Sequence, residues 1–380
     1  MASPSRYSRG SRGPQSADGE PGEKGPGNLE VGQDSSRLQV EGSVSQINDY
    51  FYDKGWTDGL PVIPPTEDLV LEMLEACPLP GRQVLGRIPP LNGTVTVEKV
   101  AINAVMAGSK PDYFPVVLAA VKAVLQPQFN AGSITTTTGG AAPAVIVSGP
   151  VAQKLGIHGS TAVFGSGHRA NATIGRALRL TMRNLGGATA DTMEKSTQGW
   201  PGKYTMCFTE NQERNPWEPL HVAMGYPPEV STVTVVAARG IHTMVEGTVE
   251  TGEGVLETLV GSMTAGGISG YYFQARQPTT VVVLGPEHAA QVAASGFSRA
   301  DVINHLFEHV RLPVGRLTNR YHFEGRSWPD EYEGREESFM VPLAATPDHY
   351  LVVVAGGDGS HSSWLSPWSA TQRATEVIGG

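Results

Sequence analysis

Two stretches of this chain repeat one another. AVIVSGPVAQKLGIHG, residues 144–159, is matched by VVVLGPEHAAQVAASG, residues 281–296, and Arg169-Ala170-Asn171 returns as Arg299-Ala300-Asp301. Upstream, VEKVAINAVMAGS (97–109) is matched by VLETLVGSMTAGG (255–267). A repeat of this length restricts the fold more than any single motif, because each copy has to be one supersecondary unit. Each copy reads helix, strand, Gly-Pro, helix, helix. The expected fold is therefore α/β, with internally duplicated helix-strand-helix-helix units around mixed sheets. Chance similarity is the competing explanation, since alanine- and glycine-rich helices share composition cheaply.

The repeat sets the expected organisation. Residues 1–43 are Ser, Gly, Pro, Arg and Glu with almost no aromatic or branched side chains. Such a segment cannot bury enough apolar area to fold and is expected to be a disordered arm. Residues 44–230 form the first α/β repeat with elaborated ligand loops, and residues 231–380 the second repeat with a C-terminal strand and loop. The spacing predicts apolar helices over 97–108 and 115–125, and strands over 144–147, 232–237, 280–284 and 350–355.

Composition narrows the function. A formal net charge of −9 leaves nothing to neutralise a phosphate backbone, which argues against nucleic acid. Only Cys77 and Cys207 are present, which fits a reducing compartment without a disulfide framework. No apolar run approaches a membrane span, and no apolar h-region follows the basic first residues. The cytoplasm is the expected location. Charged residues make up only 17% of the chain, which fits a homo-oligomer or association with a partner subunit.

The first copy carries an extra loop, and the chemistry concentrates around it. FGSGHRANATIGRALRLTMRNLGG (164–187) reads as a glycine loop opening a helix, with Asn171 as the expected N-cap and Arg176, Arg179 and Arg183 on its polar face. A helix N-terminus behind such a loop offers unpaired N–H groups to an anion. Ser166, Gly167, Arg169, Asn171 and Arg176 are the candidate anion-binding residues, with His168 at the mouth as a proton carrier. The segment matches neither the P-loop nor the dinucleotide fingerprint, and a plain connector is the competing reading.

Two further loops hold ionisable side chains among aromatic and glycine residues. Residues 199–221 contain Lys203, Glu210 and His221, and GGDGSH (356–361) contains Asp358, Ser360 and His361. Loops so loaded are where function tends to sit. His168, Lys203, Glu210 and His361 are the candidate acid–base residues. Asp358 and Ser360 join the binding set, and a glycine-rich hairpin turn competes at 356–361. Trp56 and Asp58, in the GWTDG turn, line a pocket or pack the start of the domain. Cys207 reads as a nucleophile or, flanked by apolar residues, as packing. His305, Glu308 and His309 spell H-x-x-E-H, a zinc-protease pattern, but the motif is short and the matching helix of the first copy lacks the histidines. No cofactor is expected, and metal dependence stays open as the third reading.

GWTDGLPVIPP, INAVMAGSKPDYFPVVLAAV, GHRANATIGRALRL, GWPGKYTMCFTEN, PWEPLH and GGDGSHSSW together resemble a largely uncharacterised bacterial family, sometimes associated with domains carrying a UGSC-type thiol or selenol motif. The resemblance covers residues 49–378 and implies an enzyme without supplying its reaction. This chain lacks the UGSC motif, and it has Ser109 where relatives are expected to carry cysteine. The expected function is an enzyme of hydrolase or lyase type acting on a small anionic molecule by acid–base chemistry. The alternative is a non-catalytic ligand-binding or assembly subunit.

Overall fold

The computed structural model describes residues 35–190, 192–266, 278–313, 338–368 and 371–379. Residues 1–34 of the expected arm lie outside the described residues. Residues 35–43, placed in that arm by composition, lie against the body: Arg37 pairs with Glu67 at 3.0 Å and Val40 packs on the core. Ser43 then opens α1 (Val44–Asp53) with a reciprocal capping box to Gln46. Thr66 caps α2 (Glu67–Glu75), and a hairpin of β1 (Val84–Ile88) and β2 (Gly93–Thr96) follows. The two apolar helices appear as expected, α3 (Val97–Ala107) and α4 (Phe114–Leu125), before the short α5 (Ala131–Thr136).

The central sheet is mixed and seven-stranded, so the fold is α/β. Its first half comes from β3 (Ala142–Ser148), α6 (Pro150–Lys154), α7 (Arg169–Gly186), β4 (Cys207–Thr209), α8 (Leu220–Ala223) and β5 (Thr232–Val245). After α9 (Gly252–Gly266), the second half comes from β6 (Thr280–Leu284), α10 (Pro286–Ala294), α11 (Arg299–His309), a small hairpin of β7 (Arg311–Pro313) and β8 (Met340–Pro342), β9 (Tyr350–Val354) and β10 (His361–Pro367). β11 (Ala374–Val377) closes the described chain. The two halves share one strand connectivity. β3 lies between the parallel β4 and the antiparallel β5, just as β6 lies between the parallel β9 and the antiparallel β10. The helices around them differ: α7 packs against both α3 and α4, whereas α9 alone packs against α10 and α11.

Strand alternation sorts the apolar side chains into three cores. Val145, Val147, Val233 and Val235 face α3, α4 and α7, while Val282, Leu284, Val352, Val354 and Trp364 face α9, α10 and α11. The alternate residues, among them Ile146, Phe208, Val236, Val283, Val353 and Leu365, form one further cluster. Phe208 and Val353 belong to opposite edge strands, and the sheet curls until those edges meet. Its edges meet directly: the Asn211 N–H, just beyond β4, donates to the Val354 carbonyl of β9 at 2.8 Å.

A buried ion pair fastens this meeting. Arg299, at the start of α11, bonds Glu210 Oε1 at 3.1 Å, the Glu218 carbonyl at 2.6 Å and the Val352 carbonyl. Glu210 also accepts from Asn215 at 3.3 Å and from the Leu220 N–H at 2.5 Å. Burial pushes the Glu210 carboxyl above its ordinary range, against the opposing pull of Arg299. Arg299→Ala is expected to destabilise the protein by about 3–5 kcal/mol, because it strands a buried carboxylate. Glu210→Gln with Arg299→Met should cost clearly less. Urea denaturation of the single and double variants checks this; equal losses would show that the pair is not the fastening.

Candidate functional site

Three loops converge where the sheet edges meet. One is residues 156–168, between α6 and α7; the second is residues 210–219, after β4; the third is residues 355–360, between β9 and β10. Strands in α/β sheets present their following loops for binding at such edges. The contact is backbone-close. The Gly356 N–H donates to the Gly159 carbonyl at 2.8 Å, and Asn211 Nδ2 donates to the Gly356 carbonyl at 2.9 Å. A Cβ on Gly159 would lie 2.5 Å from the Glu210 carbonyl oxygen, and one on Gly357 2.1 Å from Thr161 Oγ1. Only glycine permits this approach. Ala162 in the same loop holds a φ of 59°, a left-handed conformation that costs a residue with a Cβ on the order of 1 kcal/mol.

Two cavities open at this junction. The larger, about 390 Å³, is lined by Ser160, Thr161, Glu210, Gln212, Arg214 and Asp358 among others. The smaller, about 220 Å³, lies between residues 162–165 and residues 355–356 and 361–363. The rings of His158 and His168 stack in parallel at 3.5 Å with 4° between their planes. His158 Nε2–H donates to the Thr161 carbonyl at 2.7 Å, which leaves Nδ1 as the acceptor in the neutral ring. A groove of about 860 Å³ elsewhere, between α1, α2, α3 and residues 35–40, carries mostly apolar and amide side chains, and Trp56 borders it. It holds none of the candidate proton carriers.

The expected site residues divide. Glu210 and Asp358 line the larger cavity, and His361 is exposed at the smaller one. His168 stands at the start of α7 on the same loop, with Ser166 and Gly167 exposed beside it. Ser360 donates to Glu287 at 3.3 Å. The sequence places His168, Arg169 and Asn171 in one cavity with residues from 200–221 and 356–361; the structure lines both cavities with residues 159–165 of the first loop instead. α7 begins two residues before the expected N-cap, so Asn171 lies inside its first turn. There its side chain grips both backbone groups of His158, at 2.8 and 2.9 Å, and positions that ring. Arg169 donates twice to the Gly108 carbonyl at the C-terminus of α3, at 3.0 and 2.9 Å, a favourable place for a cation. Arg176 is committed to Asp58 by two bonds of 2.8 Å. Lys203 holds Glu194 at 2.7 Å, and burial pushes its ammonium down.

Cys207 and His221 are accounted for by packing. Cys207 is buried and burial pushes its thiol up, away from the thiolate that a nucleophile needs. His221 is buried, with Nε2–H donating to the Pro228 carbonyl at 3.2 Å. His305 and His309 stack at 4.2 Å, and among the described residues no three His, Cys, Asp or Glu side chains cluster as metal ligands. The turn at 356–361 is not a hairpin, because β6 lies between β9 and β10. His158 and Arg214 are not among the candidates the sequence offers, although GIHG stands just before the glycine loop. No family model matches the chain, and no curated protein is significantly similar to it. Among the described residues no helix is long and apolar enough to cross a membrane.

Two outcomes follow. Gly357→Ala should push the 158–161 loop away and cost about 1–3 kcal/mol, the usual penalty of overpacking. Gly240→Ala, with nothing within 4 Å of the added carbon, serves as the reference in the same urea melts. The second concerns Glu194. Burial pushes its carboxyl up, but hydrogen bonds from Lys203 and Ser196 outweigh that and hold it below the usual carboxylate range. Its stabilisation is thus full above the unfolded value and lost as pH falls through the lower folded one. Glu194→Gln should melt below the native protein at neutral pH and converge with it as pH falls through the lowered folded value. A gap in melting temperature that persists in acid would contradict this.

Proposed function

We propose that the protein is an enzyme of hydrolase or lyase type that acts on a small anionic molecule by acid–base chemistry in the cleft at the meeting sheet edges. The supporting observation is the convergence there of three loops that no local sequence pattern joins, packed glycine against carbonyl. In this reading His361 and the His158–His168 stack carry protons, since imidazole can donate and accept near neutral pH. Arg214 holds the anion. Its 2.6 Å pair with Asp358 is exposed, at 48% and 70% for the two side chains, so a ligand carboxylate competes for it at little cost. Ser160, Thr161 and Gln212 supply neutral hydrogen bonds. Asn171 acts through His158, and Glu210 holds the floor of the cleft through Arg299.

A non-catalytic binding subunit is the second reading, favoured by Glu210 and Lys203 both being spent on ion pairs. The two buried free cysteines fit the reducing cytoplasm. The motifs quoted above support membership of the bacterial family they resemble, and the shared strand connectivity supports duplication as the origin of the two halves.

A thermal-shift panel of small carboxylates and phosphates, followed by turnover assays on the hits, tests the reading. Arg214→Ala should weaken binding about tenfold or more, equivalent to about 1.4 kcal/mol. His361→Ala should keep binding and lower turnover by about 10²–10⁴-fold. Binding without turnover in the native protein selects the non-catalytic reading. Ligand binding untouched by Arg214→Ala and His361→Ala would place the site elsewhere.

A further inference from the structure

Arg176, Arg179 and Arg183 follow one another along one face of α7, and Lys203 approaches that face from the loop before β4. Among the described residues two carboxylates pair with this face, Asp58 and Glu194, and both are spent. Asp58 holds Arg176, while Glu194 holds Lys203 at 2.7 Å and Ser196 at 2.5 Å. The four paired side chains are only 11–17% exposed, so the patch is largely withdrawn from water. Among these described side chains four cations against two anions leave two surplus positive charges, in a chain whose net charge is −9.

The surplus rests on Arg179 and Arg183. Arg179 Nε donates to the Lys203 carbonyl at 2.9 Å, but its Nη1 meets only the Met182 sulfur at 3.9 Å. Arg183 makes one long bond, 3.4 Å to the Gly55 carbonyl, and its Nε is buried with no partner among the described residues. Like charges four residues apart on a helix repel, and charge withdrawn from water is costly unless paired. Burial pushes the Arg179 guanidinium down; Glu194 pulls it up, and the neighbouring charge of Arg183 pushes it further down.

We propose that Arg179 and Arg183 together bind a small oxyanion, the carboxylate or phosphate group of a small molecule, between residues 55–58 and the 194–203 loop. The forked guanidinium matches either group with two parallel bonds, and two forks side by side supply the charge that the patch lacks. This site is separate from the sheet-edge cleft and does not rest on the function read there.

Thermal melts of the full chain at low ionic strength test the proposal. Inorganic phosphate and malonate are titrated separately, each against sodium chloride of equal ionic strength. At least one of the two should raise the melting temperature saturably beyond chloride, and the better of them identifies the preferred group. Arg179→Gln and Arg183→Gln should each weaken the response at least tenfold, and the response should persist in an Arg214→Ala background. Without added anion, Arg183→Gln should melt at or above the native protein, because a surplus charge is gone; with saturating anion it should melt below it. If Arg179→Gln does not fold, the Arg183→Gln comparison decides alone. No response beyond chloride, a response surviving both variants, or one abolished by Arg214→Ala overturns the proposal. So does an Arg183→Gln protein that melts equally low with and without anion.

Discussion

Arg299 and Glu210 meet where almost no water reaches, one at the start of α11 and the other just past β4. A buried pair of this kind adds little net stability over apolar packing, yet neither member can be left alone. Its position gives it consequence. It holds the two edges of a sheet whose strands would otherwise diverge, and the loops that build the cleft leave from those edges. Arg169, which opens α7 with the same Arg-Ala pair, is exposed and caps α3 instead. Two Arg-Ala helix starts thus do different work: Arg299 locks the sheet edges and Arg169 finishes a helix.

How much could be read from the sequence depends on how locally each feature is encoded. β3, β6 and β9 are short valine-rich runs, two of them ended by Gly-Pro, and α3, α4, α7, α10 and α11 carry apolar residues at helical spacing, so all were legible. β10 was not. His361, Ser362 and Ser363 look like a loop, and only Trp364 betrays a strand that lies in the middle of the sheet. β1, β2 and β11 were missed because four or five residues facing partly to solvent leave little pattern. The loops of the cleft were recognised as functional candidates. Their sharing of one cavity was expected too, but not the residues that meet there, because Gly159, Asn211 and Gly356 are brought together only by the curl of the sheet.

The same limit applied to charge. Arg176 looked like an anion holder, since Asp58 lies far up the chain and nothing in the GWTDG turn announces its partner. Lys203 looked like an acid–base group, although its partner Glu194 is nine residues away, across a loop without periodicity. Sequence reveals which side chains could ionise, but tertiary pairing decides which of them retain unspent donors. On α7 that selection passes over Arg176 and falls on the two arginines a turn and two turns further on.

β11 pairs with the beginning of β5, and Gln126, just past α4, donates to the Thr375 carbonyl at 3.0 Å. The first half of the molecule is therefore completed by residues synthesised only after the second half. During translation the free flank of β5 beside Thr232–Val235 waits until the whole second half has been made. Pairings across such sequence distances form slowly. Until β11 arrives, the nascent chain displays an unpaired strand edge beside α4, the kind of surface on which chaperones and other nascent chains act.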